Sequence, residues 1–128
     1  MPIHVLDATN TEVRSIAISP DGAYLTAGLR YGKVQLWTTH DWREHLSVSG
    51  HGDMCAVAFA PDSKQFATSE GDWNRGGTIK IRDVATGDPI GSYHHTGEIL
   101  SLAFFAEGKA IAAAAADKTV RLWMLDRD

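Results

Sequence analysis

The sequence predicts an all-β chain made of three copies of one antiparallel unit. The first support is a repeat: Val13-Arg-Ser-Ile-Ala-Ile-Ser-Pro-Asp-Gly22, Met54-Cys-Ala-Val-Ala-Phe-Ala-Pro-Asp-Ser63 and Ile99-Leu-Ser-Leu-Ala-Phe-Phe-Ala-Glu-Gly108 align without gaps. The second is a later register, Val34-Gln-Leu-Trp37, Ile79-Lys-Ile-Arg82 and Val120-Arg-Leu-Trp123. Pro20 to Pro61 is 41 positions and Pro61 to Ala106 is 45, whereas Trp37 to Arg82 is 45 and Arg82 to Trp123 is 41. The reciprocal spacing places one insertion in the middle repeat, within the stretch Glu70-Gly-Asp-Trp-Asn-Arg-Gly76, which reads as a loop. The third support is composition, since many Val, Ile, Thr and aromatic residues among 12 glycines favour strands.

Taken in order, the first strand of each unit is marked by apolar residues at spacing two: Ile16 and Ile18, Val57 and Phe59, Leu102 and Phe104. Pro-Asp-Gly at 20–22 and Pro-Asp-Ser at 61–63 then supply turn residues. Second strands are expected over Ala23 to Ala27, Gln65 to Ser69 and Ala110 to Ala114. The alanines from 112 to 116 have helical propensity, but their aligned partners are strand-like. Third strands follow at Lys33 to Thr38, Thr78 to Asp83 and Thr119 to Leu125. Fourth strands cover about Arg43 to Ser49 and Pro89 to His94. Four antiparallel strands per period of about 40 to 45 residues is the pattern of a propeller blade.

The chain resembles the WD-repeat (tryptophan-aspartate repeat) β-propeller family over about Thr11 to Leu125. Gly50-His51 and His94-His95 stand where that family opens a repeat, and Asp117 precedes Trp123 at the family's interval. The resemblance implies a hydrogen-bond chain of His, Ser or Thr, Asp and Trp within each blade. It assigns structural roles to His51, Thr68, His95, Asp117, Trp37 and Trp123. The chain is incomplete everywhere: Tyr31 replaces the Asp of repeat one, with Thr9 or Asn10 in place of its His. Arg82 replaces the Trp of repeat two, and Ala113 the hydroxyl of repeat three. The naming pair reads Trp37-Thr38, Arg82-Asp83 and Trp123-Met124.

The expected organisation is a latch strand at 1–10, blade repeats at 11–50, 51–94 (with the insertion at 70–76) and 95–128. Ile3-His-Val-Leu6 reads as an outer strand, and none follows Trp123. The resemblance implies that the N-terminal strand completes the last blade, in trans if the chain is oligomeric. Closed propellers have about four to eight blades, so three should not close alone. Head-to-tail association is therefore expected, a dimer with six blades favoured over a trimer with nine, unless the chain is a fragment of a longer propeller.

Composition narrows the function. With 12 Lys+Arg against 16 Asp+Glu the net charge is −4, which argues against a nucleic-acid binder. No apolar run approaches the ~20 residues of a membrane span, so a cytoplasmic protein is expected. Cys55 is single and reads as a small buried hydrophobe. His94 and His95 are adjacent and point to opposite faces of a strand, so the histidines are read as structural and no metal is expected. No phosphate loop, nucleophile elbow or metalloprotease spacing is present. No catalytic residue or cofactor is assigned, and the chain is read as a non-catalytic interaction scaffold for a protein or peptide partner.

The candidate anchors are Trp73, Asn74 and Arg75 in the insertion, with Arg30 and Tyr31 on the loop that the resemblance places on the same face. Trp beside Arg is a pairing typical of binding hot spots. The alternative is a Trp folded onto the blade edge. Trp42 reads as a turn-packing residue rather than a ligand contact. Other readings are an assembly unit whose blade ends mediate ring closure, or a small-molecule or catalytic module using the central channel.

Overall fold

A computed structural model describes residues 5–6, 11–52, 55–72 and 76–125. The described residues form three antiparallel sheets. Blade 1 comprises β1 (Val13–Ile18), β2 (Tyr24–Leu29), β3 (Val34–Thr38) and β4 (Glu44–Val48), in that spatial order. Blade 2 comprises β5 (Val57–Phe59), β6 (Gln65–Asp72), β7 (Gly76–Asp83) and β8 (Pro89–His95), again in sequence order. Blade 3 has β9 (Ile99–Phe105), β10 (Ala110–Ala115) and β11 (Val120–Met124), with β11 at the edge. The alanine run is a strand because it pairs on both sides, Ala112 lying opposite Ala103 and Leu122. Two ladders of hydrogen bonds outweigh the intrinsic helical preference of alanine.

Alternation along each strand divides every sheet into two faces. The rear face of blade 1 carries Val34 and Leu36, which pack on Val57 and Phe66 from the front of blade 2. The rear of blade 2 carries Ile79 and Ile81, which pack on Leu102 and Ile111 from the front of blade 3. The core is therefore two successive blade junctions. Ala27, Leu29 and Trp37 form a third cluster on the front of blade 1, where Leu6 rests on them. Val5 and Leu6 lie outside any strand; the rest of the 1–10 latch segment falls outside the described residues.

The β1–β2 turn closes through Gly22 N–H to Ser19 O at 2.8 Å, and Asp21 accepts from the backbone of Ala23 at 2.9 Å. Across the junction, the Asp21 N–H donates to Ser63 Oγ at 3.1 Å, tying two equivalent turns together.

The insertion differs from the loop expected over Glu70 to Gly76. Strands β6 and β7 stay paired through Glu70–Thr78, Gly71–Gly77 and Asp72–Gly76. In blades 1 and 3 the corresponding hairpins end at Gly28–Val34 and Ala114–Val120. Glycine and aspartate suggested a loop by propensity, but in-register continuation of the ladder satisfies their backbone groups. The insertion thus becomes a ribbon three pairs longer than its neighbours.

Candidate interaction surface and blade hydrogen-bond networks

The turns between the second and third strands, and the connections leading into β5 and β9, share one edge of the blades, the upper rim. Arg30 and Tyr31 lie there in a 3-10 turn, Arg30–Gly32. Tyr31 is 58% exposed and adopts φ 70°, a conformation uncommon for a bulky residue. The Arg30 guanidinium lies 5.1 Å from the Tyr31 ring centroid, within cation–π range, and donates to Glu12 at 3.2 Å. Arg30 therefore holds the Tyr31 ring while its own charge is shared with Glu12.

Next along the rim, Gly71 N–H donates to His51 O at 2.9 Å, and Gly52 forms an isolated parallel bridge with Gly71. Gly32 is packed on the backbone of Gly50 and His51. These contacts join the Arg30–Gly32 turn, the 50–52 segment and the ribbon base into one surface. The sequence-derived anchors Trp73, Asn74 and Arg75 lie outside the described residues, between the paired ends Asp72 and Gly76.

A connected polar chain joins the end of β8 in blade 2 to blade 3. His95 is fully buried, and its Nδ1 accepts the Gly97 N–H at 3.0 Å. That contact leaves Nε2 protonated and facing the Thr119 hydroxyl at 3.4 Å. The Thr119 hydroxyl in turn donates to Asp117 Oδ1 at 2.5 Å. Trp123 stands edge-on to the His95 ring at 5.8 Å. The hydroxyl that Ala113 cannot supply thus comes from Thr119, on the turn instead of the neighbouring strand. Thr96 and Arg121 extend the chain, Arg121 donating to Thr96 and Thr96 to Asp117, each at 3.3 Å. Hydrogen bonds from Thr119 hold the Asp117 carboxyl below its usual range. Burial, seconded by the Arg121 charge, holds the His95 imidazole below its own.

Blade 2 solves the same problem with other groups. Arg82 is 6% exposed, and its Nε donates to the buried Thr68 hydroxyl at 3.0 Å. Its Nη1 donates to Gly87 O at 2.9 Å. Burial lowers the Arg82 pKa, with Glu70 pulling it back upward. Glu70 pairs with Lys80 at 2.7 Å and accepts the His51 N–H at 3.1 Å. The His51 side chain is 59% exposed, its ring 3.9 Å from Glu70, so it stands at the rim and Thr68 is satisfied by Arg82. In blade 1, Trp37 is buried at 7% exposure, and Gln35 bonds Glu44 at 2.9 Å. Trp42 is half-buried, its N–H donating to Thr38 O at 2.9 Å. Thr119 and Thr96 are network members that sequence spacing did not single out, and Arg82, read there as the replacement of a Trp, is a third.

On the lower rim, a cleft of about 500 Å³ opens between blades 1 and 2, lined by Asp21, Tyr24, Asp62, Lys64, Asp83 and Val84 among others. Each of the three aspartates already caps a backbone N–H of its own turn. Among the described residues, no group of three or more His, Cys, Asp or Glu is placed to hold a metal ion. Among the same residues, no helix is long and apolar enough to cross a membrane.

A family model described as WD domain, G-beta repeat, matches residues 1–38, 42–83 and 87–124. The chain belongs to the WD-repeat family. Among its relatives is the cell division cycle 20.5 cofactor of APC complex from Arabidopsis thaliana, 26% identical over 131 residues, with 94% of this chain and 27% of the relative covered. The small ribosomal subunit protein RACK1 of Drosophila melanogaster is 25% identical over 126 residues, covering 91% of this chain and 38% of that protein. WD repeat-containing protein 1 of Bos taurus is 33% identical over 83 residues, covering 61% and 13% respectively. The chain spans less than two fifths of the length of each. As a WD-repeat chain it brings His95 at the end of β8 together with Asp117 and Trp123 of blade 3, and in blade 2 it carries the Arg82 guanidinium where the repeat places Trp37 and Trp123.

Proposed function

We propose that this WD-repeat chain is a non-catalytic, cytoplasmic interaction scaffold whose upper rim binds a protein or peptide partner through Arg30, Tyr31, Trp73, Asn74 and Arg75, without nucleic acid, membrane or cofactor. The observation that carries the reading is Tyr31: a large aromatic, 58% exposed, held by Arg30 beside the ribbon of blade 2. Exposed aromatics next to Arg are the residues that dominate interface energetics. Two relatives are named for larger assemblies, one as a cofactor of a complex and one as a ribosomal subunit protein. The structural roles of His51, Thr68, His95, Asp117, Trp37 and Trp123 are to keep that rim rigid.

Cross-linking and affinity capture with the wild-type chain, compared with Tyr31→Gly and with Trp73→Ala/Arg75→Ala, test the reading. Tyr31→Gly relieves the left-handed backbone, so a lost partner in that variant is not lost folding. Partners shared by wild type and missing from both variants support the scaffold; identical capture by all three rejects it.

A second reading is an assembly unit in which copies join through their blade ends, six blades from two copies being favoured over nine from three. The blade ends support it. Blade 3 has three strands among the described residues, with β11 at its edge, and such an edge presents backbone groups on which a further strand can pair.

A further inference from the structure

We propose that the lower-rim cleft between blades 1 and 2 docks an arginine-bearing segment of a basic protein partner. The cleft lies on the rim opposite Tyr31, so the proposal goes beyond the upper-rim reading and does not depend on it. Its walls are built by contacts that run around it. The Tyr24 ring lies 5.4 Å from the His45 ring, and His45 Nε2 donates to Val84 O at 3.0 Å. The Val84 N–H donates in turn to Lys64 O at 2.9 Å. On the other side the Asp21 N–H donates to Ser63 Oγ at 3.1 Å. Ser19 Oγ then joins Asp21 Oδ1 to the Tyr24 N–H, at 2.7 and 3.0 Å. Walls fixed before anything binds leave little ordering entropy to lose on docking.

The lining selects the occupant. Tyr24 and Val84 supply an aromatic and apolar wall, which suits the hydrocarbon stem and the charge of a long cationic side chain. Asp21, Asp62 and Asp83 each use Oδ1 to cap a backbone N–H. That contact holds the carboxylate in place and leaves Oδ2 for a second donor. Lys64 is the one basic residue in the lining, so the cleft carries a surplus of two negative charges. Among the described residues, no three acidic groups are placed to hold a metal ion. Carboxylates spread around a space of about 500 Å³ suit a planar guanidinium with several donors better than a point charge. The cleft is not a product of the repeat alone. At the equivalent positions of the second junction, Gln65 stands for Tyr24 and Met124 for Asp83.

Fluorescence anisotropy with the 128-residue chain tests this. The probes are a labelled peptide with two arginines flanked by glycines, and the same peptide with citrulline, which keeps the shape and loses the charge. The arginine peptide should bind, and the citrulline peptide should bind about ten-fold more weakly or worse. Asp62→Asn/Asp83→Asn keeps an oxygen to cap each turn, so it should weaken the arginine peptide about ten-fold at an unchanged thermal midpoint. Lys64→Gln should strengthen it. Asp88→Asn/Glu107→Gln removes two acids from lower-rim turns outside the cleft and should leave the affinity as it was. Tyr31→Gly should leave it as well, so the two rims stand or fall separately. No binding of the arginine peptide, equal affinity for both peptides, or indifference to Asp62→Asn/Asp83→Asn overturns the proposal. An equal loss in Asp88→Asn/Glu107→Gln also overturns it, because attraction to net charge would then explain the binding.

Discussion

Arg82 Nε donates to the Thr68 hydroxyl at 3.0 Å inside blade 2, where neither side chain is more than 6% exposed. A charged group in that position is tolerable because Gly87 O takes a second donor and Glu70 lies near enough to favour the cation. Thr68→Val removes the acceptor and leaves Nε unsatisfied, which should cost about 1–3 kcal/mol. A urea titration reads this as a lower midpoint with an unchanged slope. In an Arg82→Met background the same substitution should cost less, because the two residues act as a unit. Full additivity would show that the bond contributes nothing.

Acid should destabilise the junction between the end of β8 and blade 3 in two stages. The folded His95 imidazole lies below its ordinary value of 6.5, so the unfolded chain takes up the proton first. Its contribution is complete above pH 6.5 and declines as pH falls further. Asp117 lies below 3.8 when folded, so its contribution is complete above that value and is lost on stronger acidification. Urea midpoints measured from pH 7.5 to 3 should fall through both windows. His95→Gln should remove the upper stage and leave the lower one.

Cys55 is 0% exposed and its thiol is pushed up to about 12 by burial, with the Glu70 charge adding to the rise. The thiolate is the reactive form, so a thiol-specific chromogenic reagent at pH 8 should label Cys55 only as fast as the chain opens. Adding urea beyond the midpoint should release one equivalent at once. Rapid stoichiometric labelling of the native chain would contradict the packing of blades 1 and 2.

Two glycines with positive φ should respond differently to alanine. Gly22, at φ 77°, has nothing within 4 Å of an added Cβ, so Gly22→Ala should cost about 1 kcal/mol of backbone strain alone. Gly52, at φ 93°, lies directly against the Gly71 carbonyl. Gly52→Ala adds a clash to the strain and should cost clearly more, with the loss read in the thermal midpoint. Equal effects would mean that the 50–52 segment does not pack on the ribbon.

The strands were legible because their causes are local. Spacing-two apolar residues such as Ile16 and Ile18, and turn residues such as Asp21 and Gly22, act within a few positions of themselves. The polar networks were legible only where the usual residue type was kept, as at His95 and Trp123. Arg82 looked like a broken chain, since its equivalence to an indole donor depends on how far a guanidinium reaches through space. Thr119 was missed because its hydroxyl enters the network from the turn, and Ala113 marked the expected place as empty. The 70–76 stretch was misread since Gly71 and Gly77 carry turn propensity, whereas their pairing is decided by the ladder beneath them.

The long β6–β7 ribbon has a consequence for how blade 2 is held. Three extra pairs extend the hairpin by about 10 Å, and the ribbon base is flanked on one side by Gly52 and on the other by the backbone at His95 and Thr96. The extra pairs are thus clasped from both sides, with Gly71 and Gly76 buried where the flanking connections meet them. A side chain on Gly52 or Gly76 would push connection and ribbon apart, so lengthening the hairpin also fastens blade 2 to the segments on either side of it.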